Sequence, residues 1–175
     1  DPFFKDNELK ALKLMDEDYE YVTSFDCEEA ICSSDRKVLR FDGIDTIADV
    51  YLNGEMIGSP DNMHRIWEYD VTEEVKEKDN ELRIVFHSPT KYIAEAFKVS
   101  KTHGSEDAME GFVNIRKAHC MFGWDWGAHL PDAGLFRPVT LLGIDEARID
   151  SVYVTQEHAD GKVTLHFAVD VDCCP

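Results

Sequence analysis

No stretch of this chain approaches the roughly 18 uninterrupted apolar residues of a membrane-spanning helix. No succession of basic, apolar and small residues marks a signal peptide. There is no Cys-x-x-Cys pair on which to found a zinc ribbon, and no Gly-x-Ser-x-Gly elbow of an α/β-hydrolase. Positive charge is scarce: 18 Lys and Arg stand against 36 Asp and Glu, a formal net charge of −18. A field of that sign repels phosphate backbones and anionic headgroups, so neither nucleic acid nor a membrane is an expected partner. A neutral sugar meets no such penalty. The five cysteines, Cys27, Cys32, Cys120, Cys173 and Cys174, are odd in number and follow no repeating spacing, which argues against a disulfide framework. Reduced thiols in a cytoplasmic protein are the expectation, with a hairpin pairing of Cys27 and Cys32 across a short polar turn left open.

What is present reads as β-structure. Of the 175 residues, 43% are hydrophobic, enough for one full domain and the start of another. The first fifteen residues are compatible with a short helix or an ordered entry segment. From Tyr19 the period becomes two: Tyr19, Tyr21, Thr23 and Phe25 fall on one side, Glu20, Val22 and Ser24 on the other. Further strands are predicted at Lys37–Phe41, Ile47–Leu52, Ile66–Tyr69, Leu82–His87, Pro138–Ile144, Ser151–Thr155 and Val163–Val171. Turn chemistry separates them, most sharply at Asn53-Gly54, where a type I′ hairpin needs positive φ twice. Asp160-Gly161 is a second candidate of the same kind. One helix is predicted at Ile93–Lys101, and His103–Gly111 reads as a loop. Many short strands with frequent turns predict an all-β sandwich over residues 1–145. Residues 146–175 read as the opening of a second sandwich. The chain starts Asp-Pro-Phe-Phe and ends, at Asp172-Cys-Cys-Pro175, within a segment that still reads as strand, so truncation at both ends is expected.

The informative stretch is Asn114-Ile-Arg-Lys-Ala-His-Cys-Met-Phe-Gly-Trp-Asp-Trp-Gly127, continuing Ala-His-Leu-Pro131 into Gly134-Leu-Phe-Arg-Pro138. Trp124 and Trp126 bracket Asp125, and Gly123 and Gly127 flank all three. Glycines on both sides indicate a tightly turned loop. Indole faces suit sugar C–H groups, and a carboxylate accepts hydrogen bonds from hydroxyls. From the residues alone, two readings stand: a sugar platform, or core tryptophans with Asp125 capping a turn.

This stretch resembles the segment with which β-mannosidases of glycoside hydrolase family 2 close their N-terminal domain. There an Arg-Lys, a Gly-Trp-Asp-Trp-Gly and a Gly-hydrophobic-Arg-Pro-Val strand follow in this order. Asp1-Pro-Phe-Phe-Lys-Asp-Asn-Glu8, Tyr19-Glu-Tyr21, Phe41-Asp-Gly-Ile-Asp-Thr-Ile-Ala-Asp-Val-Tyr-Leu-Asn-Gly54 and Arg65-Ile-Trp-Glu-Tyr-Asp-Val-Thr72 are similar to other pieces of that domain. The resemblance implies a galactose-binding-like jelly roll, followed by an immunoglobulin-like sandwich and a (β/α)₈ barrel, in an exo-β-mannosidase acting with retention on terminal β-mannose. It implies that Asp125 helps hold the terminal mannose, with Trp124 and Trp126 shaping the rim. Arg116 is expected to support the loop through a charge-assisted hydrogen bond to Asp125. After Gly127 this chain has Ala128-His129 where the family more usually shows Pro-Arg.

Retaining glycosidases need two carboxyls about 5–5.5 Å apart, which this family carries on barrel strands. No catalytic residue is therefore assigned here. Asn7-Glu8 and Asn80-Glu81 share letters with the family's Asn-Glu pair by coincidence, and the fragment alone is expected to be inactive. No cofactor is expected. No metal site is expected either, and His158 and His166, on two neighbouring predicted strands, do not suffice for one. His119-Cys120, as strand neighbours, are expected to point to opposite faces. The alternatives are another family 2 specificity (β-glucuronidase, β-galactosidase or exo-glucosaminidase), a free-standing carbohydrate-binding module, or a structural domain with buried tryptophans.

Overall fold

The computed structural model describes residues 1–174. The entry segment forms helix α1 (Asn7–Leu12) and a 3₁₀ turn at Lys13–Asp16. Period-two alternation then becomes strand β1 (Tyr19–Phe25), followed by a single helical turn, α2 (Glu29–Cys32). Next come β2 (Arg36–Phe41), β3 (Ile44–Asp45), β4 (Ala48–Leu52), β5 (Glu55–Gly58), β6 (Trp67–Asp70) and β7 (Asn80–Phe86). Helix α3 (Pro89–Val99) leads into a long excursion that ends at β8 (Gly134–Leu135) and β9 (Val139–Ile144). A final hairpin is built from β10 (Ala147–Ala159) and β11 (Lys162–Cys173).

The four-stranded sheet β1-β7-β4-β5 and the three-stranded sheet β6-β2-β9 enclose one core, and β3 pairs with β8 beside them. Alternation decides which side chains enter. Ala48, Val50 and Leu52 of β4 point inward with Leu82, Ile84 and Phe86 of β7, against Leu39 and Phe41 of β2. The chain is thus an all-β sandwich, as its turns and alternation predict.

The Asn53-Gly54 turn has φ of 53° and 90°, the left-handed pair a type I′ hairpin demands. Asn53 also does a second job: its Oδ1 accepts from Glu81 N at 3.0 Å, and its Nδ2 donates to Glu74 O at 2.6 Å. Beside it Asn80 is fully buried, taking Lys76 N–H at 2.8 Å and donating to Lys76 O at 2.7 Å. Asn80 is thus the polar plug of a turn, satisfied as a buried amide must be.

Three details differ from the sequence reading. Helix α3 starts four residues before the predicted Ile93, because Ser88-Pro89 is a start signal: Ser88 Oγ accepts Lys91 N–H at 3.1 Å and Pro89 needs no donor there. The polar turn between Cys27 and Cys32 contains α2, and all five cysteines are free thiols. His119 and Cys120 lie in a 3₁₀ turn, not a strand.

The terminal hairpin is longer than predicted, turning at Asp160-Gly161 with φ of 49° and 71°. Its register puts Val152 opposite Val169 and Val154 opposite Phe167, with Leu165, Val163 and Val171 on the same face. All these apolar side chains are exposed. His158 faces Val163 whereas His166 faces Thr155, so the two histidines stand on opposite faces. Ion pairs tie the hairpin's base to the outer face of β2 and β6, Arg36 to Asp172 at 2.5 Å and Arg148 to Glu68 at 2.6 Å, while Arg148 to Asp172 at 3.3 Å joins the hairpin's own two strands. Arg40 adds Glu68 at 3.1 Å.

Candidate sugar-facing loop

The excursion between α3 and β8 is organised in three tiers. Its footing is a small apolar cluster of Ile93, Phe112, Ile115 and Phe122, packed with Ile47 and Met109. At its base lies Lys117, whose side chain is wholly buried. The ammonium donates to the Asp45 carboxylate and, at 2.6 Å, to the carbonyl of Asp132. One cation therefore gathers β3, the middle of the excursion and its C-terminal end. Burial pushes the Asp45 carboxyl up against the opposing pull of Lys117.

Above the base is a neck. Phe122 bridges His129 in antiparallel fashion, and Leu130 N donates to Met121 O at 2.9 Å. The tip is the tetrapeptide Trp124-Asp125-Trp126-Gly127, closed by Gly127 N donating to Trp124 O at 2.7 Å. Asp125 sits at φ 47°, in the left-handed region that a short polar side chain tolerates best after glycine. Trp124 is 66% and Trp126 103% exposed. The Asp125 carboxylate, also exposed, makes no hydrogen bond or ion pair among the described residues. Two bare indoles and a free carboxylate on one turn form an arrangement able to stack on a sugar face and accept from its hydroxyls. Neither tryptophan is a core residue.

The expected bond from Arg116 to Asp125 is not formed. Arg116 is exposed, its backbone bridges Asn62, and its carbonyl accepts Met63 N–H at 3.0 Å. Its neighbours are Asn62, His64, Asn114 and His119, which line a cleft of about 590 Å³ beside it. Support for the tip comes from residues the sequence reading passed over. Asp107 Oδ2 accepts the Asp125 N–H at 2.6 Å, and Asp107 O lies 3.0 Å from His129 Nε2. Glu8 of α1 accepts the His129 N–H at 2.7 Å. In the sequence Glu8 stands out only as the end of the family-like entry segment and as half of a coincidental Asn-Glu pair, and the acids of the 103–111 loop are the only hint of Asp107. Gly123 makes the crossing possible: at its φ of 112° a Cβ would stand 2.5 Å from His129 Nε2 and 2.8 Å from Asp107 O. Among the described residues, no cluster of three or more His, Cys, Asp or Glu is set to hold a metal ion.

Comparison with known proteins agrees with this architecture. Residues 1–137 match the family described as glycosyl hydrolase 2 galactose-binding domain-like. A β-mannosidase of Mus musculus is 34% identical over 161 residues, covering 86% of this chain and 18% of that protein. β-Mannosidase B of Aspergillus flavus is 31% identical over 176 residues, covering 97% and 21% respectively. The crystal structure of a β-D-mannosidase from Dictyoglomus thermophilum superposes with a TM-score of 0.92 at 34% identity, covering 99% of this chain and 21% of that one. An exo-chitosanase from Amycolatopsis orientalis shares the fold at a TM-score of 0.68 and 21% identity. The chain spans about a fifth of the length of the relatives it matches. From Asp1 through Arg137 it belongs to the galactose-binding-domain-like N-terminal family of glycoside hydrolase family 2, on the side of that family where the β-mannosidases lie.

Proposed function

We propose that this chain is the non-catalytic N-terminal part of a retaining exo-β-mannosidase, and that Asp125, with Trp124 and Trp126, forms one wall of its terminal-sugar subsite. The observation that carries the reading is the tip itself: an exposed carboxylate with no partner among the described residues and two exposed indoles, on a turn whose base, neck and crossing loop are all held by hydrogen bonds. Fixing the support while leaving the reactive surface bare is what a subsite wall delivered to a neighbouring domain requires. The two carboxylates of a retaining mechanism would come from a (β/α)₈ barrel outside this chain. The sandwich therefore contributes binding and barrel support, and no chemistry. The hairpin β10–β11 would then be the first pair of strands of an immunoglobulin-like sandwich, with its apolar face turned to strands that follow.

The test is an assay of the full-length protein on p-nitrophenyl β-mannoside and the matching β-glucoside, β-galactoside and β-glucuronide. Mannoside-selective turnover is expected. Asp125→Ala should lower kcat/KM on the mannoside by roughly 10- to 150-fold, the equivalent of a lost hydrogen bond to a charged group. Preference for another glycoside would overturn the substrate, and an indifferent Asp125→Ala would overturn the subsite.

A further inference from the structure

We propose that Asp107 is a positioning residue of the sugar subsite, fixing the direction of the Asp125 carboxylate by capping the Asp125 amide, with His129 bracing Asp107 from behind. The inference rests on the subsite reading of Asp125 and adds to it a residue 18 positions away in the chain.

A side chain at φ 47° on a four-residue turn has few restraints of its own. The Asp125 N–H points out of the turn and is taken by Asp107 Oδ2 at 2.6 Å, a charge-assisted contact. Because Cα lies in the plane of that amide and φ is set at 47°, holding the N–H fixes where Cβ, the root of the carboxylate, departs from the turn. Asp107 is itself restrained on three sides. Ser105 Oγ donates to its Oδ1, its backbone carbonyl lies 3.0 Å from His129 Nε2, and Met109 N, two residues on, donates to Phe122 O at 2.9 Å. His129 is in turn fixed by Glu8, through its N–H at 2.7 Å and its Nδ1 at 3.4 Å. The line Glu8–His129–Asp107–Asp125 thus runs from α1 to the tip. The absence of a side chain at Gly123 leaves the space in which the two loops cross. The hydrogen bonds from Ser105, its own N–H and Asp125, with the nearby His129, hold the Asp107 carboxyl below the usual carboxylate range. It therefore stays an acceptor until the solution is more acidic than an ordinary aspartate needs.

Two measurements separate this proposal from the reading beneath it. In this chain carrying Asp125→Asn, which removes that residue's own titration, the amide proton of position 125 is followed by NMR between about pH 2 and 7. Glu8 and His129 are the other titrating groups facing the crossing. The resonance should move with a carboxyl titrating below the usual range, and the movement should vanish when Asp107→Asn is added. An amide that does not follow Asp107 would overturn the proposal whatever the substrate.

In the full-length protein, Asp107→Ala should lower kcat/KM on p-nitrophenyl β-mannoside about tenfold. Asp107→Asn, whose side-chain oxygen still accepts, should recover most of it. Asp107→Ala should add nothing once Asp125→Ala is present. Losses that multiply, or no rescue by Asn, would overturn the positioning role. A position-125 amide that follows Asp107, together with an indifferent Asp125→Ala, would instead overturn the subsite reading and remove the role with it.

Discussion

The sandwich and the terminal hairpin are written in the same code and end in opposite states. In β4 and β7, alternate side chains vanish from solvent: Val50, Leu52 and Ile84 are almost wholly buried. In β10 and β11 the alternation is equally regular, with Val152, Val154, Leu165, Phe167 and Val169 on one face, and every one of them is exposed. Alternation therefore specifies which face wants cover, and only a second sheet supplies it. A lone two-stranded hairpin has no such sheet. What holds this one in place is charge, through Arg36, Arg148, Glu68 and Asp172 at its base.

The widest test of that contrast is to delete the same kind of side chain in both regions. Phe86→Ala should cost about 3–5 kcal/mol in chemical denaturation, because its ring is buried between sheets and edge-on to Tyr21. Phe167→Ala in this chain should cost under about 0.5 kcal/mol, as an exposed position does. Equal losses would mean the hairpin is buried by something here, and the comparison would fail.

The second test uses pH. Glu68 is held below the usual carboxylate range by the hydrogen bond from Arg148 and by Arg40, and Asp172 by Arg36 and then Arg148. Both folded pKa values are depressed, so the stability these groups lend is present above the ordinary carboxylate pKa, about 4, and is lost as pH falls through the lower folded values. Amide protection, measured against the intrinsic exchange rate at each pH, should fall at Arg148 and Asp172 on acidification while Leu52 and Ile84 stay protected. A uniform loss of protection would show that the hairpin and the core open as one.

The smallest effect probes an imperfection inside the better-packed region. Tyr69 OH is buried with no hydrogen-bond partner among the described residues, and burial pushes its pKa up to about 12. Tyr69→Phe should be neutral or stabilising by about 1 kcal/mol, since it removes an unpaired polar group. A clear loss of stability would mean that the hydroxyl does hold a hydrogen bond.

Legibility in the sequence followed the same divide between local and distant causes. Strands β1, β4 and β7 showed themselves because each runs long enough to display its period. β3 and β8 are two residues each, too short for any period, and escaped notice. The first strand of the hairpin begins four residues before the predicted Ser151, across a register slip between Ile149 and Ser151 that puts Ile149 and Val152 on one face at the wrong spacing for a period of two. At the site, Trp124, Asp125 and Trp126 stood out as a cluster of unusual residues. Their supports did not: Asp107 and Glu8 reach the loop across 18 and 121 positions, and no local pattern encodes such contacts. Arg116 misled for the converse reason, being close in sequence but turned to a different cleft.

The buried ammonium of Lys117 bears on how such loops diversify. Because it joins Lys117 to Asp132 across 15 positions, the second half of the excursion is a closed ring hung from the sandwich. Ring closure grows costlier only slowly, by about 0.6 kcal/mol for each doubling of length. Insertions between residues 118 and 131 would thus reshape the exposed tip while adding little to the cost of closing the ring.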